Sequence, residues 1–344
     1  MKIEVFCGTG GVGKTTMAAA RAISLAENQK EVLLITIDPS KRLKEILALT
    51  NDDAGIVKEV DLLENKLSVL LMSPEKTFQR MAQKHGRPEI TQNRILKILA
   101  GPYGGLNEIL SLIELNEQMQ ANYDVIILDT PPGSHFLDFL ESSHKIKVFF
   151  DKSFVEIFQY LGKSVDYQHL NLGNKVMKFF VSSGVKKLLG YLKSVTGDIF
   201  INDFIEAIQA IYITQKSFLD ATKVEEQLKD SEMTQWFLVT SVEQSKHKQA
   251  LDIKSKAESY ISNNSVCLVL NKSLKENLTS WEPQNNKLKE IKESFLKKEN
   301  SLTAALKSQF SLFLSFPEIY SLDPINHIEV LKEKWNTNSI KGIL

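Results

Sequence analysis

Apolar and polar positions along the chain fall into two kinds of run. Short, nearly uninterrupted apolar runs occur at KIEVFC (2–7), EVLLITID (31–38), KLSVLLM (66–72), YDVIILD (123–129), WFLVTS (236–241), SVCLVLN (265–271) and SLFLSFP (311–317). Runs of this length without alternation predict strands covered on both faces, as in a parallel sheet. Between them lie longer segments with helical character: Lys14 to Asn28, 73–122 interrupted by GRPE and GPYGG, 242–261, and 288–310. Strands alternating with helices predict an α/β fold, a doubly wound and mostly parallel sheet. One stretch breaks the alternation. From 135 to 234 there is almost no strand signal, and eleven of the chain's 18 Phe lie between Phe136 and Phe218. Phe150, Phe154, Phe158 and Leu161 share one helical face. This predicts a helical insertion at 135–234 in a core made of 1–134 and 235–344. Its apolar face either packs on the core or meets a hydrophobic partner.

The first strand runs into GTGGVGKT, Gly8 to Thr15, which fits the phosphate-loop pattern G-x-x-x-x-G-K-[ST] in the required strand–turn–helix context. Gly8, Thr9, Gly10, Gly11, Val12 and Gly13 would turn successive backbone N–H groups inward as an anion cradle. The helix N-terminus that follows, with Thr16 in its first turn, adds partial positive charge. Lys14 would reach phosphate oxygens, and the Thr15 hydroxyl would ligate Mg²⁺. Asp129 ends the ILD strand, where a carboxylate can hold the magnesium and its waters. Asp38 ends the second strand, where a carboxylate can orient an attacking water.

Composition narrows the options. Lys+Arg and Asp+Glu are both 42, so the net charge is zero and a broad nucleic-acid surface is not expected. The two cysteines, Cys7 and Cys267, lie in apolar strand-like runs, and no Cys-x-x-Cys exists to hold zinc. The apolar runs fall short of the ~20 residues of a membrane-spanning helix. MKIEVFCG has a strand pattern rather than a signal-peptide pattern. A reducing cytoplasm is the expected compartment, with transient membrane contact as an extension.

GTGGVGKTT, TIDPSKRL, YDVIILDTPPGSHFLDFL, FLVTSVE and LVLNKS occur in that order. Together they resemble the arsenite-pump (ArsA-type, anion-transporting) ATPase family, which includes the eukaryotic ATPase that delivers tail-anchored membrane proteins. The spellings TIDP-x-x-RL and DTPP-x-x-H-x-LDFL look closest to its bacterial branch. The resemblance implies ATP and Mg²⁺, hydrolysis to ADP and phosphate, a dimer that opens and closes with nucleotide, and a hydrophobic or membrane-protein client at the helical insertion. It implies that Asp38 positions the hydrolytic water, that Asp129 to Pro132 form the second switch, that Asn271 reads the adenine edge, and that the segment at Pro317 closes over the base.

The chain departs from the family pattern at three places. Many members carry at position 9 a lysine that reaches the partner's nucleotide, whereas this chain has Thr9; Arg42, four residues after Asp38, is the candidate substitute, with Lys41 beside it. The arsenite-binding cysteines have no counterparts, so no arsenite site is expected. The zinc Cys-x-x-Cys of a stapled dimer is also missing, and only one phosphate loop is present, so a second chain would supply the other half. Two alternatives stay open. One is a weakly hydrolysing scaffold, heterodimeric with a paralogue that supplies the lysine. The other is a partition or Min-type ATPase, for which residues 141–200 offer nine Lys against five acidic residues. His135 reads as structural. Glu108 and Glu114 read as a solvated helix face, with a dimer contact as the alternative.

Overall fold

The structure is a computed structural model that describes residues 1–38, 40–101, 104–151, 191, 194–262 and 266–338. Its elements begin with β1 (Lys2–Gly8), α1 (Lys14–Glu27), β2 (Val32–Thr36), α2 (Lys41–Ile46), β3 (Val57–Leu62) and β4 (Asn65–Leu71). Next come α3 (Pro74–Lys84), α4 (Arg94–Leu99), α5 (Asn107–Gln118), β5 (Val125–Asp129) and α6 (Ser134–Phe149). Then follow α7 (Asp198–Ile213), α8 (Gln215–Ala221), α9 (Lys223–Lys229), β6 (Thr234–Ser241) and α10 (Gln244–Ala257). The chain closes with β7 (Val266–Ser273), α11 (Lys275–Ser280), α12 (Asn286–Lys307), β8 (Leu312–Pro317) and α13 (Pro324–Thr337).

The eight strands form one sheet in the order β3-β4-β2-β5-β1-β6-β7-β8. Every neighbouring pair is parallel except β3 and β4. This is the doubly wound, mostly parallel α/β sheet. The inner strands β1, β2, β5, β6 and β7 are buried nearly throughout, which is why they read as unbroken apolar runs. The sequence pattern passes over β3, an edge strand that pairs with β4 from Val57 opposite Leu70 to Leu62 opposite Asn65.

Chain contacts divide the molecule into two compact units, Met1–Ser73 with Glu117–Leu140 and Val224–Leu344, and Pro74–Asn116 with Glu141–Lys223. Sequence patterning places 74–116 with the core; by contacts it groups with the helical segment. In the first unit, α13 closes the core. Trp335 is 4% exposed and meets Phe6, Phe237 and Phe316 at ring centroids of 6.0, 5.3 and 4.7 Å. The C-terminal segment is therefore a core helix as far as Thr337. Arg21 of α1 crosses to Glu4 of β1, its Nε and Nη2 donating at 2.9 and 2.8 Å, and its guanidinium lies 5.3 Å from the Trp335 ring.

In the second unit, Glu114 corrects the solvated-face reading. It is fully buried and accepts from Thr77 Oγ1 and from Arg80 Nη2, while Glu108 is half-buried. Ile201, Ala207, Ile208, Ala210 and Ile211 of α7 are buried, whereas Ile199 and Phe200 stand out to solvent. Phe154, Phe158 and Leu161 lie outside the described residues; Phe150 is buried against Phe218, with ring centroids 5.5 Å apart.

Candidate functional site

A doubly wound sheet gathers its loops at the carboxyl ends of the strands, and the ends of β1, β2, β5 and β7 carry the residues singled out above. Gly8 ends β1 with φ +149°, and a Cβ there would lie 2.3 Å from the Val239 carbonyl oxygen. Only glycine permits this close pairing of β1 with β6. Gly13 takes φ +86° as the N-cap of α1, and a Cβ there would lie 2.5 Å from Asn271 Nδ2. Between them Gly10 and Gly11 are exposed, and a Cβ on Gly11 would meet nothing within 4 Å. No side chain caps α1, so its first-turn N–H groups are left for an outside acceptor.

Asp129 is the hub. It is 1% exposed, and its Oδ1 accepts from Lys14 Nζ at 2.8 Å. Its Oδ2 accepts from Thr15 Oγ1 at 2.8 Å and from Thr36 Oγ1 at 3.0 Å. Lys14, itself 8% exposed, also donates to the Thr130 carbonyl. A buried carboxylate is tolerated because a cation and two hydroxyls satisfy it. The turn after β5 is fastened to the loop as well. Thr130 N and Oγ1 both donate to Phe6 O, at 3.2 and 2.9 Å, and Gly133 N donates to Gly8 O at 3.2 Å. Thr36 was not singled out from the sequence. Its only signal there is a hydroxyl at the end of an otherwise apolar strand.

The other predicted residues are placed less centrally. Asp38 stands exposed just beyond β2. Lys41 is 90% exposed and pairs with Glu45 at 3.6 Å. Arg42 lies in α2, and its side chain is outside the described atoms. Thr9 is 4% exposed, turned inward with its Oγ1 unpartnered, and Thr16 is half-buried. His135 is 69% exposed, 3.8 Å from Asp138.

Asn271 is buried at the end of β7, and its Nδ2 donates to Val12 O at 2.8 Å. One N–H of the amide thus props the phosphate loop, leaving the second N–H and Oδ1 for another partner. Pro317 is buried at the end of β8, opposite Ser273, and the next residue, Glu318, donates its N–H to Ser273 O at 2.9 Å. Glu299 of α12, 7% exposed, accepts from Ser273 Oγ at 2.5 Å and Leu274 N at 3.1 Å. These bonds flank the register irregularity between Leu270 and Ser273, where Lys272, still within β7, takes φ +61°, a costly conformation for a non-glycine residue.

The residues present fit a magnesium-bound triphosphate: an open glycine edge, an uncapped helix start, and a lysine, a hydroxyl and a carboxylate in mutual contact. The family model for anion-transporting ATPases matches residues 1–310. The chain belongs to that family. Among curated relatives, "ATPase get3" of Schizosaccharomyces japonicus is 31% identical over 136 residues, 39% of this chain and 41% of that protein. "ATPase get3" of Botryotinia fuckeliana is 32% identical over 138 residues, 39% and 40%. "ATPase ARSA2" of Chlamydomonas reinhardtii is 33% identical over 136 residues, 39% and 36%. The match spans about two fifths of each relative's own length. The expected bacterial branch is not borne out, since these relatives are eukaryotic.

The cysteines sit apart from this chemistry. Cys7 and Cys267 are buried free thiols, and burial pushes both up to about 12. Among the described residues no three His, Cys, Asp or Glu side chains gather to hold a metal. No helix among them is long and apolar enough to cross a membrane.

Proposed function

We propose that this member of the anion-transporting ATPase family binds Mg²⁺·ATP and hydrolyses it to ADP and phosphate as a nucleotide-switched dimer. The observation that carries the reading is the Asp129 carboxylate joined to Lys14, Thr15 and Thr36 beside an uncapped helix start. Gly8 to Thr16 wrap the phosphates, Thr15 and Asp129 hold the magnesium, and Lys14 exchanges its carboxylate partner for phosphate oxygens. Bound magnesium supplies charge neutralisation at the phosphoryl oxygens. Asp38, exposed just beyond β2, orients the attacking water. Asn271 offers its remaining amide groups to the adenine edge, with the Pro317 segment beside it. The partner is a second copy or a paralogue, and the compartment is the cytoplasm, with transient membrane association.

The client is a hydrophobic or membrane protein, met through the helical segment. Tyr191, Val195 and Ile199 are 65, 65 and 71% exposed there, which supports an apolar docking face. The test is phosphate release by purified protein. Asp38→Asn should lower turnover by about 10²-fold or more while leaving the Mg²⁺·ATP dissociation constant within a few-fold. Unchanged turnover in that variant would remove Asp38 from the reaction. The weakly hydrolysing scaffold is favoured by one observation: Thr9 is buried and uncharged, so the loop itself carries no cation besides Lys14. Clear turnover by the chain alone contradicts the scaffold.

A further inference from the structure

The first turn of α10 lies against the phosphate loop. Lys246 donates from its Nζ to Gly10 O at 2.9 Å. Among the described residues the ammonium pairs with no carboxylate. Its backbone is held, because the N–H groups of Lys246 and His247 both donate to Glu243 O, at 3.0 and 3.2 Å, and His247 is 5% exposed. The other lysines near the loop are committed elsewhere. Lys14 is bound to Asp129 and Thr130, and Lys41 points to solvent beside Glu45. Thr9, one residue before the contacted glycine, faces inward. Gly10 is exposed, and a Cβ on it would come no closer than 3.9 Å to Pro132, so the space over this part of the loop is clear.

We propose that Lys246 is a second phosphate-contacting lysine, supplied by the same chain, whose ammonium leaves the Gly10 carbonyl for the terminal phosphoryl group of a nucleoside triphosphate. This inference rests on the nucleotide-site reading above. A neutral carbonyl gives an ammonium one hydrogen bond, whereas a phosphate oxygen adds the attraction of opposite charges in a partly dehydrated site. The four-carbon stem of lysine swings between two acceptors on one loop at little cost in strain. The role requires charge, so it separates triphosphate from diphosphate; a mere clamp on the loop would serve both equally.

The experiment compares the wild-type chain with Lys246→Met and Lys246→Arg, using calorimetry with Mg²⁺·ATP and, separately, Mg²⁺·ADP, alongside phosphate release. Thermal melting confirms that each variant is folded. Lys246→Met should weaken ATP binding about tenfold, equivalent to ~1.4 kcal/mol, and leave ADP binding within about twofold. Lys246→Arg should recover most of the difference. Equal weakening toward both nucleotides, or none toward either, would overturn the proposal while leaving the nucleotide site intact. A wild-type chain that takes up neither nucleotide would overturn the site itself, and this inference with it.

Discussion

Two buried carboxylates, Asp129 and Glu4, are each 1% exposed and each held by a cation, yet only one belongs to the site. Asp129 also gathers two hydroxyls at the loop mouth, whereas Glu4 has the two-pronged grip of Arg21 in the body of the sheet. Arg21→Leu strands that carboxylate and should cost about 3–5 kcal/mol in urea unfolding. A loss below about 1 kcal/mol would mean that Glu4 finds another partner or water. The thiols make a second residue-scale prediction. Held up to about 12 by burial, Cys7 and Cys267 stay protonated at neutral and mildly alkaline pH. Neither should react with maleimide in the native protein at pH ~8, and both should react in denaturant. Lys14, Thr15 and Asp129 were legible because their residue types sit at fixed offsets from a strand and a turn. Thr36, Glu114 and Lys246 were not, because tertiary packing chooses their partners and no local pattern records it.

At the scale of elements, the buried parallel strands announced themselves and the edge did not. Strand β3 reads VKEVDL, with only Leu62 buried, and reaches β4 through Leu63 and Glu64 at φ +50° and +62°. Those are the dihedrals of a tight hairpin turn, built here without the Asn-Gly or Gly residues that signal one. Helix α13 did carry a signal: Asp323 caps it by accepting from Ile325 N at 3.0 Å, with Pro324 following. Its charged positions masked the buried line of Ile328, Leu331 and Trp335. Trp335→Ala should cost about 3–5 kcal/mol, read as a lower denaturation midpoint. Helix α10 bears part of the pH dependence, since burial first, and then Lys84 and Lys216, lower the His85 imidazole in the same direction. Burial holds the His247 imidazole below its ordinary value of 6.5, against a smaller opposing effect of its bond to the Ser241 backbone. The unfolded chain therefore takes up the proton first. Stability from this group is complete above pH 6.5 and falls as acidification proceeds toward the folded-state value. His247→Gln should flatten that slope in urea titrations below pH 6.5; an unchanged slope would assign it to other groups.

The whole molecule combines a sheet-centred unit that contains every residue assigned to nucleotide with a helical unit rich in Phe. Alternation of strands and helices made most of the first legible, apart from the edge strand β3 and the closing helix α13. The second was legible only as an absence of strands, and its extent was not, because α3 to α5 join it through contacts that leave no mark on local periodicity. Membership of the anion-transporting ATPase family spans both units. That the phosphate loop is a magnesium-nucleotide site is the claim on which every other proposed role depends. Titrating the wild-type chain and Lys14→Ala with ATP in a calorimeter, with and without Mg²⁺, tests that claim most directly. Saturable heat from the wild type that requires magnesium and disappears in Lys14→Ala is the predicted result. No heat from the wild type, or the same heat from both proteins, would contradict it.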